Sequence, residues 1–315
     1  MTEDFAGPIV TGGPTHRQMK FGSRLGVYQH TLHTNPLFDE IGLSALIDAY
    51  PRDRLAIYTM GQDAKDHRSW RRGAADNLNG VQLLAAIKNG CLWAVLRKTN
   101  LYLDGYQQLV DRMFADLHRM HPGLSTFRHD FGVVIASPKA QVFYHLDMPM
   151  ISLWQVRGEK TLRAWPAQEP YLNDRELEHL ALQDSHGGID YNQVWDMDAE
   201  EVVLKPGMMA TWPQNGPHRI VNSDSLNVAL SVDFMTPAAM FRQDVIYANG
   251  VLRQKFNMPQ RTRPGLTPQN ILKAGLGQAA RRLNWIPATA KSEPITFEVE
   301  QSAPNSIRDT RDEAA

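Results

Sequence analysis

The sequence predicts a mainly β core, a sandwich or barrel of short strands, flanked by an N-terminal α/β region and a C-terminal helical region. Three observations predict it. Residues 125–236 hold a series of strand-like runs, among them FGVVIASP, QVFYHLD, MISLWQVRG, KTLRAWP and LNVALSVDF, punctuated by Pro, Gly, Asn and Asp. The flanking stretches carry helical periodicity instead. The chain has 315 residues, 43% of them hydrophobic, enough to bury a sizeable core without cross-links.

Taken in order, residues 1–124 mix both element types. PLFDEIGLSALIDAY (36–50) has Leu37, Ile41, Leu43, Leu46 and Ile47 along a helical stripe. RLAIYTMG follows as a short strand. NGVQLLAAIKNG and YQQLVDRMFADLHRMH read as helices, the second stopped by Pro122 and Gly123. Residues 125–236 form the β core. Within it, residues 169–201 hold ten acids and one base, a local charge of −9 in a chain of net charge −1. The rest of the chain therefore sums to about +8. This segment reads as a solvated insertion between strands, with a docking surface for a basic peptide as the sharper alternative through Asp184, Asp190, Asp196 and Asp198. Residues 237–292 return to helical patterning, in AAMFRQDVIYANGVLRQKF and PQNILKAGLGQAARRL. Residues 293–315 are polar and read as a flexible tail.

Composition also excludes classes of function. The single cysteine, Cys91, rules out an internal disulfide and a cysteine-rich zinc site, and fits a reducing compartment. The early acids at the N-terminus do not make a secretory signal, and no apolar run is long enough to span a bilayer. The reading is cytoplasmic, with no membrane partner. The near-neutral charge, and the absence of a helix-turn-helix pattern or basic helix, argue against nucleic acid.

The chemistry centres on FYHLDMPM (143–150). Residues two apart in a strand share a face, so His145 and Asp147 project side by side from an apolar run. His218, in WPQNGPHRIVN, is the natural third ligand. Two histidines and a carboxylate on one face leave positions open for cosubstrate and O₂, the arrangement of non-haem Fe(II) oxygenases. By ligand type alone, a catalytic zinc hydrolase fits equally well. None of the other ten histidines has an acid two residues on. The bland alternative is a satisfied polar pair in a sheet. Lys160, fifteen residues after His145, follows the turn RGEK. A hairpin there would bring it back alongside the His145 strand, where it could meet a buried carboxylate; otherwise it is an ordinary solvated lysine.

FYHLDMPMISLWQVRGEKTLRAWP together with LKPGMMATWPQNGPHRIVN resembles the cupin-like JmjC superfamily of Fe(II)- and 2-oxoglutarate-dependent oxygenases, most of all the branch of the hypoxia-inducible-factor asparaginyl hydroxylase. The resemblance implies a double-stranded β-helix, the jelly-roll or cupin-like barrel. It implies His145, Asp147 and His218 as Fe(II) ligands, Lys160 as partner of the distal 2-oxoglutarate carboxylate, and Leu153 facing inward onto the cosubstrate. The family adds a hydroxyl donor at that carboxylate. Val142 stands where a threonine can serve, leaving Tyr58, Ser137 and Thr211 as substitutes. Trp154, Phe143, Met148 and Met150 are candidate walls, with core packing the more ordinary role for the last three. The implied reaction consumes O₂ and hydroxylates a C–H bond, of a protein or peptide side chain first and a small molecule second, with demethylation third. A non-catalytic cupin-like sensor is the competing class, and a metal-dependent hydrolase or isomerase another. Ile271, Leu272, Ala274, Leu276, Ala279, Ala280 and Leu283 suggest a C-terminal helix that packs on its own domain or, as in the family branch, forms a homodimer.

Overall fold

The computed structural model describes residues 7–61, 63, 69–183, 187–262, 265–287 and 293–310. The N-terminal region supplies strands β1 (Val10–Gly12) and β2 (Gly26–His30), helix α1 (Glu40–Ala49), and strands β3 (Ala56–Thr59) and β4 (Arg71–Ala74). It continues with helix α2 (Gly80–Asn89), strand β5 (Trp93–Leu96), and helices α3 (Thr99–Tyr102) and α4 (Tyr106–Met120). The helix starts are chemically marked. Asp39 accepts from Gly42 N at the head of α1, and Asn79 and Gln82 form a reciprocal capping box on α2. The α4 helix stops short of Pro122, as its sequence requires.

The next strands are β6 (Phe127–Ala136), β7 (Gln141–Leu146), β8 (Met150–Arg157) and β9 (Lys160–Ala164). Helix α5 (Asp174–Gln183) and the short β10 (Gly187–Gly188) intervene. Then come β11 (Glu200–Leu204), β12 (Met208–Thr211), β13 (His218–Asn222) and β14 (Asn227–Met235). These strands lie in two sheets. One runs β2-β12-β8-β14-β6 across the barrel, and the other runs β10-β7-β13-β9-β11. Strands β6 to β9 alternate between the sheets, and β11 to β14 alternate again on the return. The chain thus winds twice around one interior, which is the double-stranded β-helix. Each neighbouring pair within it is antiparallel.

This winding corrects one expectation. The RGEK turn does not make a hairpin within a sheet, because β8 and β9 belong to opposite sheets. Lys160 returns to the sheet of His145 with β13 between them. Gly158 makes the crossing at φ +69°, and a Cβ there would lie 2.5 Å from Leu226 O.

The larger sheet does not end at β6. It continues through β5, β3 and β4, so the N-terminal region and the barrel share one sheet. The main core lies on the face of this sheet covered by α1, α2 and α4, with Ile47, Ile87, Val110, Val133 and Leu230 buried together. A separate cluster of Ile151, Leu153, Leu162, Leu204 and Trp212 fills the closed part of the barrel. The acidic segment carries α5, whose Leu177 and Leu180 pack with Tyr144, Leu146 and Trp165. Several of its acids are matched internally: Glu178 pairs with Arg253, Asp196 with Arg219, and Glu201 with Arg163. Asp184 lies outside the described residues.

At the C-terminal end, α6 (Pro237–Phe256) and α7 (Pro268–Arg282) pack together, and β15 (Ile295–Val299) and β16 (Ile307–Asp309) close the chain. The α7 face turned inward is Asn270, Lys273, Ala274, Gly277 and Ala280, while Ile271, Leu272 and Leu283 are exposed. The seven apolar residues read as one stripe thus divide between two sides. The expectation of a flexible tail over residues 293–315 is also corrected. β15 pairs in parallel with β4 and buries Phe297 completely, and β16 pairs with β15. Composition misled there. ITFEV alternates apolar and polar, a strand pattern of period two inside a polar stretch. Residues 311–315 lie outside the described part.

Candidate metal centre

His145 sits near the end of β7 and Asp147 just past it, while His218 opens β13. The register pairs His218 with His145 across the β7–β13 ladder. Two stretches of chain far apart in sequence are thereby brought together. One ligand atom from each of the three residues lies within 4.8 Å of the others. His218 Nε2 stands 3.3 Å from Asp147 Oδ2, and the two imidazole centroids are 4.2 Å apart. His218 is 2% exposed and Asp147 9%.

Hydrogen bonds fix the tautomers. His145 Nδ1 lies 2.8 Å from Phe143 O, and His218 Nδ1 lies 3.1 Å from Gly216 O. A carbonyl can only accept, so each Nδ1 carries the proton. Each Nε2 is left with its lone pair, as a metal ligand requires. The donor set of two neutral imidazoles and a carboxylate suits a borderline divalent ion such as Fe(II), with no thiolate to favour a softer one.

The loop that delivers His218 is tied to the strand that carries Asp147. Asn215 is 2% exposed, and its Nδ2 donates to Asp147 O at 3.1 Å and Met148 O at 3.3 Å. Its Oδ1 accepts from Arg242 Nε at 3.3 Å. Gln214 Nε2 donates to Met148 O and Ala239 O, each at 3.1 Å. The local backbone is left-handed at Asn215 (φ 61°), a conformation that asparagine tolerates better than most residues. The PQNGP stretch is thus a clamp between the two halves of the centre.

The three residues line a cavity of about 690 Å³ that runs from the barrel interior onto the β5–β3–β4 extension. Lys160 lines it as well, at 4% exposure, with no hydrogen bond or ion pair among the described residues. Burial without a counter-charge pushes its pKa down from 10.5 to about 7. Leu153 lines the cavity. Trp154, its neighbour, points the other way into the main core and donates to Ser152 Oγ at 2.9 Å. Phe143 lines the cavity. Met148 packs beside Tyr144, and Met150 joins the main core.

Of the three hydroxyl candidates, only Tyr58 reaches the cavity. Ser137 donates to Ile87 O at 2.5 Å and accepts from Leu92 N, and Thr211 donates to Ile151 O at 2.8 Å. Both are structural. Sequence reasoning missed Ser231 on β14 and Asn222 on β13, which also line the cavity; Asn222 stands in register with Lys160. It also missed the outer wall. Trp70 lies 4.8 Å from Tyr58, 4.9 Å from Trp93 and 5.0 Å from Phe143, centroid to centroid, and Phe143 lies 5.7 Å from His145. Asp130 and Asp233, directly opposite on β6 and β14, add charge there, with Arg97 3.9 Å from Asp233. Inward alternation along LNVALSVDF could have found Ser231 and Asp233, since both fall on one face. The Trp70 wall depends on sheet extension, which no local pattern announces.

Fold and site together define a double-stranded β-helix with a two-histidine, one-aspartate centre at the end of its second strand. No family model matches the sequence, and no curated protein matches it. Solved structures of the Escherichia coli protein YcfD are similar in outline. One has 15% identity and a TM-score of 0.47, covering 89% of this chain and 70% of that one. A second, described as a ribosomal oxygenase in complex with cobalt and succinic acid, has 14% identity and a TM-score of 0.44, covering 90% and 74%. A third, with cobalt and 2-oxoglutarate, has 13% identity and a TM-score of 0.44 over the same shares. The second and third are described as ribosomal oxygenases. The fold assignment rests on the strand order itself. Among the described residues, no helix is long and apolar enough to cross a membrane.

The clamp generates a prediction. Asn215→Gly keeps the left-handed backbone accessible but removes the amide. It is expected to weaken Co(II) binding about 10- to 100-fold, read by the absorbance of the cobalt protein at a temperature where circular dichroism shows the variant folded, because losing the amide also lowers the thermal midpoint. Wild-type cobalt affinity would show that the clamp does not position the ligands.

Proposed function

We propose that this chain is an Fe(II)- and 2-oxoglutarate-dependent oxygenase that hydroxylates a C–H bond, first of all in a protein or peptide side chain. The observation that carries this reading is the convergence of His145, Asp147 and His218 on one cavity that also holds the buried amine of Lys160. In the overall reaction, one oxygen atom of O₂ enters succinate as CO₂ leaves, and the other enters the substrate hydroxyl. A small-molecule substrate on the same site is the second reading, favoured by the enclosed volume of about 690 Å³.

Bound Fe(II) would supply the O₂-activating redox chemistry that amino-acid side chains lack. The residues do the rest. His145, Asp147 and His218 would hold the ion. Because two of these ligands are neutral, the bound ion would keep a net positive charge that attracts an anionic cosubstrate. Lys160 would take the distal carboxylate of 2-oxoglutarate, with Tyr58, Ser231 or Asn222 offering a second donor. Leu153, Trp212 and Ile220 exclude water around the cosubstrate. The Trp70, Trp93 and Phe143 wall would orient the substrate over the centre.

The free lysine makes a pH-dependent statement. Its folded pKa lies below the unfolded value, so the charged form destabilises the empty fold most below pH 7, and the penalty fades as pH rises toward 10.5. A carboxylate placed against it restores the ammonium. Binding of 2-oxoglutarate at pH 8 is therefore expected to take up close to one proton, measured by calorimetry in buffers of different ionisation enthalpy. Binding without proton uptake would mean that Lys160 does not meet the ligand in this way.

Succinate formation that requires both Fe(II) and 2-oxoglutarate is the direct test of the activity, screened against peptides and metabolites. His145→Ala is expected to abolish metal binding and turnover. Lys160→Ala should raise the KM for 2-oxoglutarate about 10- to 100-fold, the value of a charge-assisted hydrogen bond, while metal content stays near wild type. No succinate under any condition, with metal bound, would favour the sensor class. A homodimer through the exposed Ile271, Leu272 and Leu283 side of α7 belongs to the same proposal. Light scattering that gives a monomer mass at micromolar concentration would reject it.

A further inference from the structure

A second cavity, of about 1050 Å³, lies outside the barrel, between residues 16–23, the turn after α4 and the start of α6. Much of its wall is apolar, with Phe21, Leu124, Met150 and Val245. Among the described residues its charged and ionisable lining groups are His16, Lys20, His121 and Arg242, and no aspartate or glutamate lines it. The first turn of α6, Pro237–Ala239, adds the positive end of a 20-residue helix.

Arg242 is the telling residue. Arg242 is half-buried, and among the described residues its one hydrogen bond is the 3.3 Å contact of Nε with the neutral amide of Asn215. Neighbouring arginines are treated differently. Arg253, on the same helix, is paired with Glu178, and Arg281 on α7 lies 2.7 Å from Asp244. Asp174 acts on Arg242 only from beyond ion-pair distance. A guanidinium does not give up its proton, so the cavity presents a partly desolvated cation with no contacting counter-ion among the described residues, a ready partner for an anion.

We infer that this cavity binds a small amphipathic monocarboxylate, with the carboxylate on Arg242 and the apolar body along Phe21, Met150 and Val245. The chemical class is a medium-chain or aryl-substituted carboxylic acid. Through Asn215 the same guanidinium touches the clamp on Asp147, so an occupant would also report on the metal centre. Binding itself does not depend on the oxygenase reading.

The probe is decanoate below its micellar concentration, titrated calorimetrically into the full chain carrying Lys160→Ala, which removes the ammonium of the first cavity. One saturable site is expected, with no matching site for decyltrimethylammonium. Arg242→Gln should weaken decanoate at least tenfold. Photolabelling with a diazirine derivative of decanoate should mark peptides from residues 16–25, 121–125 or 236–245. That labelling uses the protein without the Arg242 change, so it decides the matter even if Arg242→Gln fails to fold. Equal affinity for the cationic probe, decanoate affinity unchanged by Arg242→Gln, or labels confined to other peptides would each overturn the assignment.

Discussion

The β7–β13 pairing that sets His218 opposite His145 is the constraint on which the rest of the site depends. These two residues are separated by most of the barrel in sequence, and only a doubly wound chain makes their strands neighbours. Side chains alternate with a period of two, so a slip of one residue in that ladder would turn one imidazole away from the other. On the other side β13 is held by β9 in an unbroken register, with the partly buried Ile220 opposite the buried Leu162, while the ladder to β7 itself shifts between His218 and Ile220. The candidate metal centre is in this sense a property of sheet register as much as of three side chains.

The legible and illegible parts of the site divide along that line. His145 and Asp147 could be read because residues two apart in extended chain share a face, a local rule, although Asp147 falls just past the end of β7. The short-strand series from 125 to 236 likewise announced a barrel. Lys160 could be singled out, but not its route into the cavity. The turn before it crosses between sheets, and a crossing and a hairpin look alike in RGEK. The wall of Tyr58, Trp70 and Trp93 was invisible for a further reason. It exists because the barrel sheet runs on into the N-terminal strands, and edge continuation is decided by long-range pairing. β15 was hidden by composition: its alternation is clear, but five residues in a polar stretch carry little weight on their own.

The two cavities treat charge in opposite ways. In the first, burial drives Lys160 toward its neutral form, so the empty barrel avoids holding an isolated charge. In the second, the guanidinium has no neutral form to adopt, and the surroundings give it a neutral amide but no contacting carboxylate. The difference follows from the chemistry of the two cations rather than from their surroundings alone. The polar link through Asn215 joins Arg242 to the backbone of Asp147 in a single step.

The parallel pairing of β15 with β4 has a consequence for biosynthesis. Glu293, just before β15, lines the first cavity beside Tyr58. Chains emerge N-terminus first. The barrel, its three ligands and Lys160 can therefore be complete while the outer edge of the vestibule is still inside the ribosomal tunnel. The outer wall of the cavity closes only after His145, Asp147, His218 and Lys160 have all been made, so a nascent chain can hold the three candidate ligands in place before the entrance is finished.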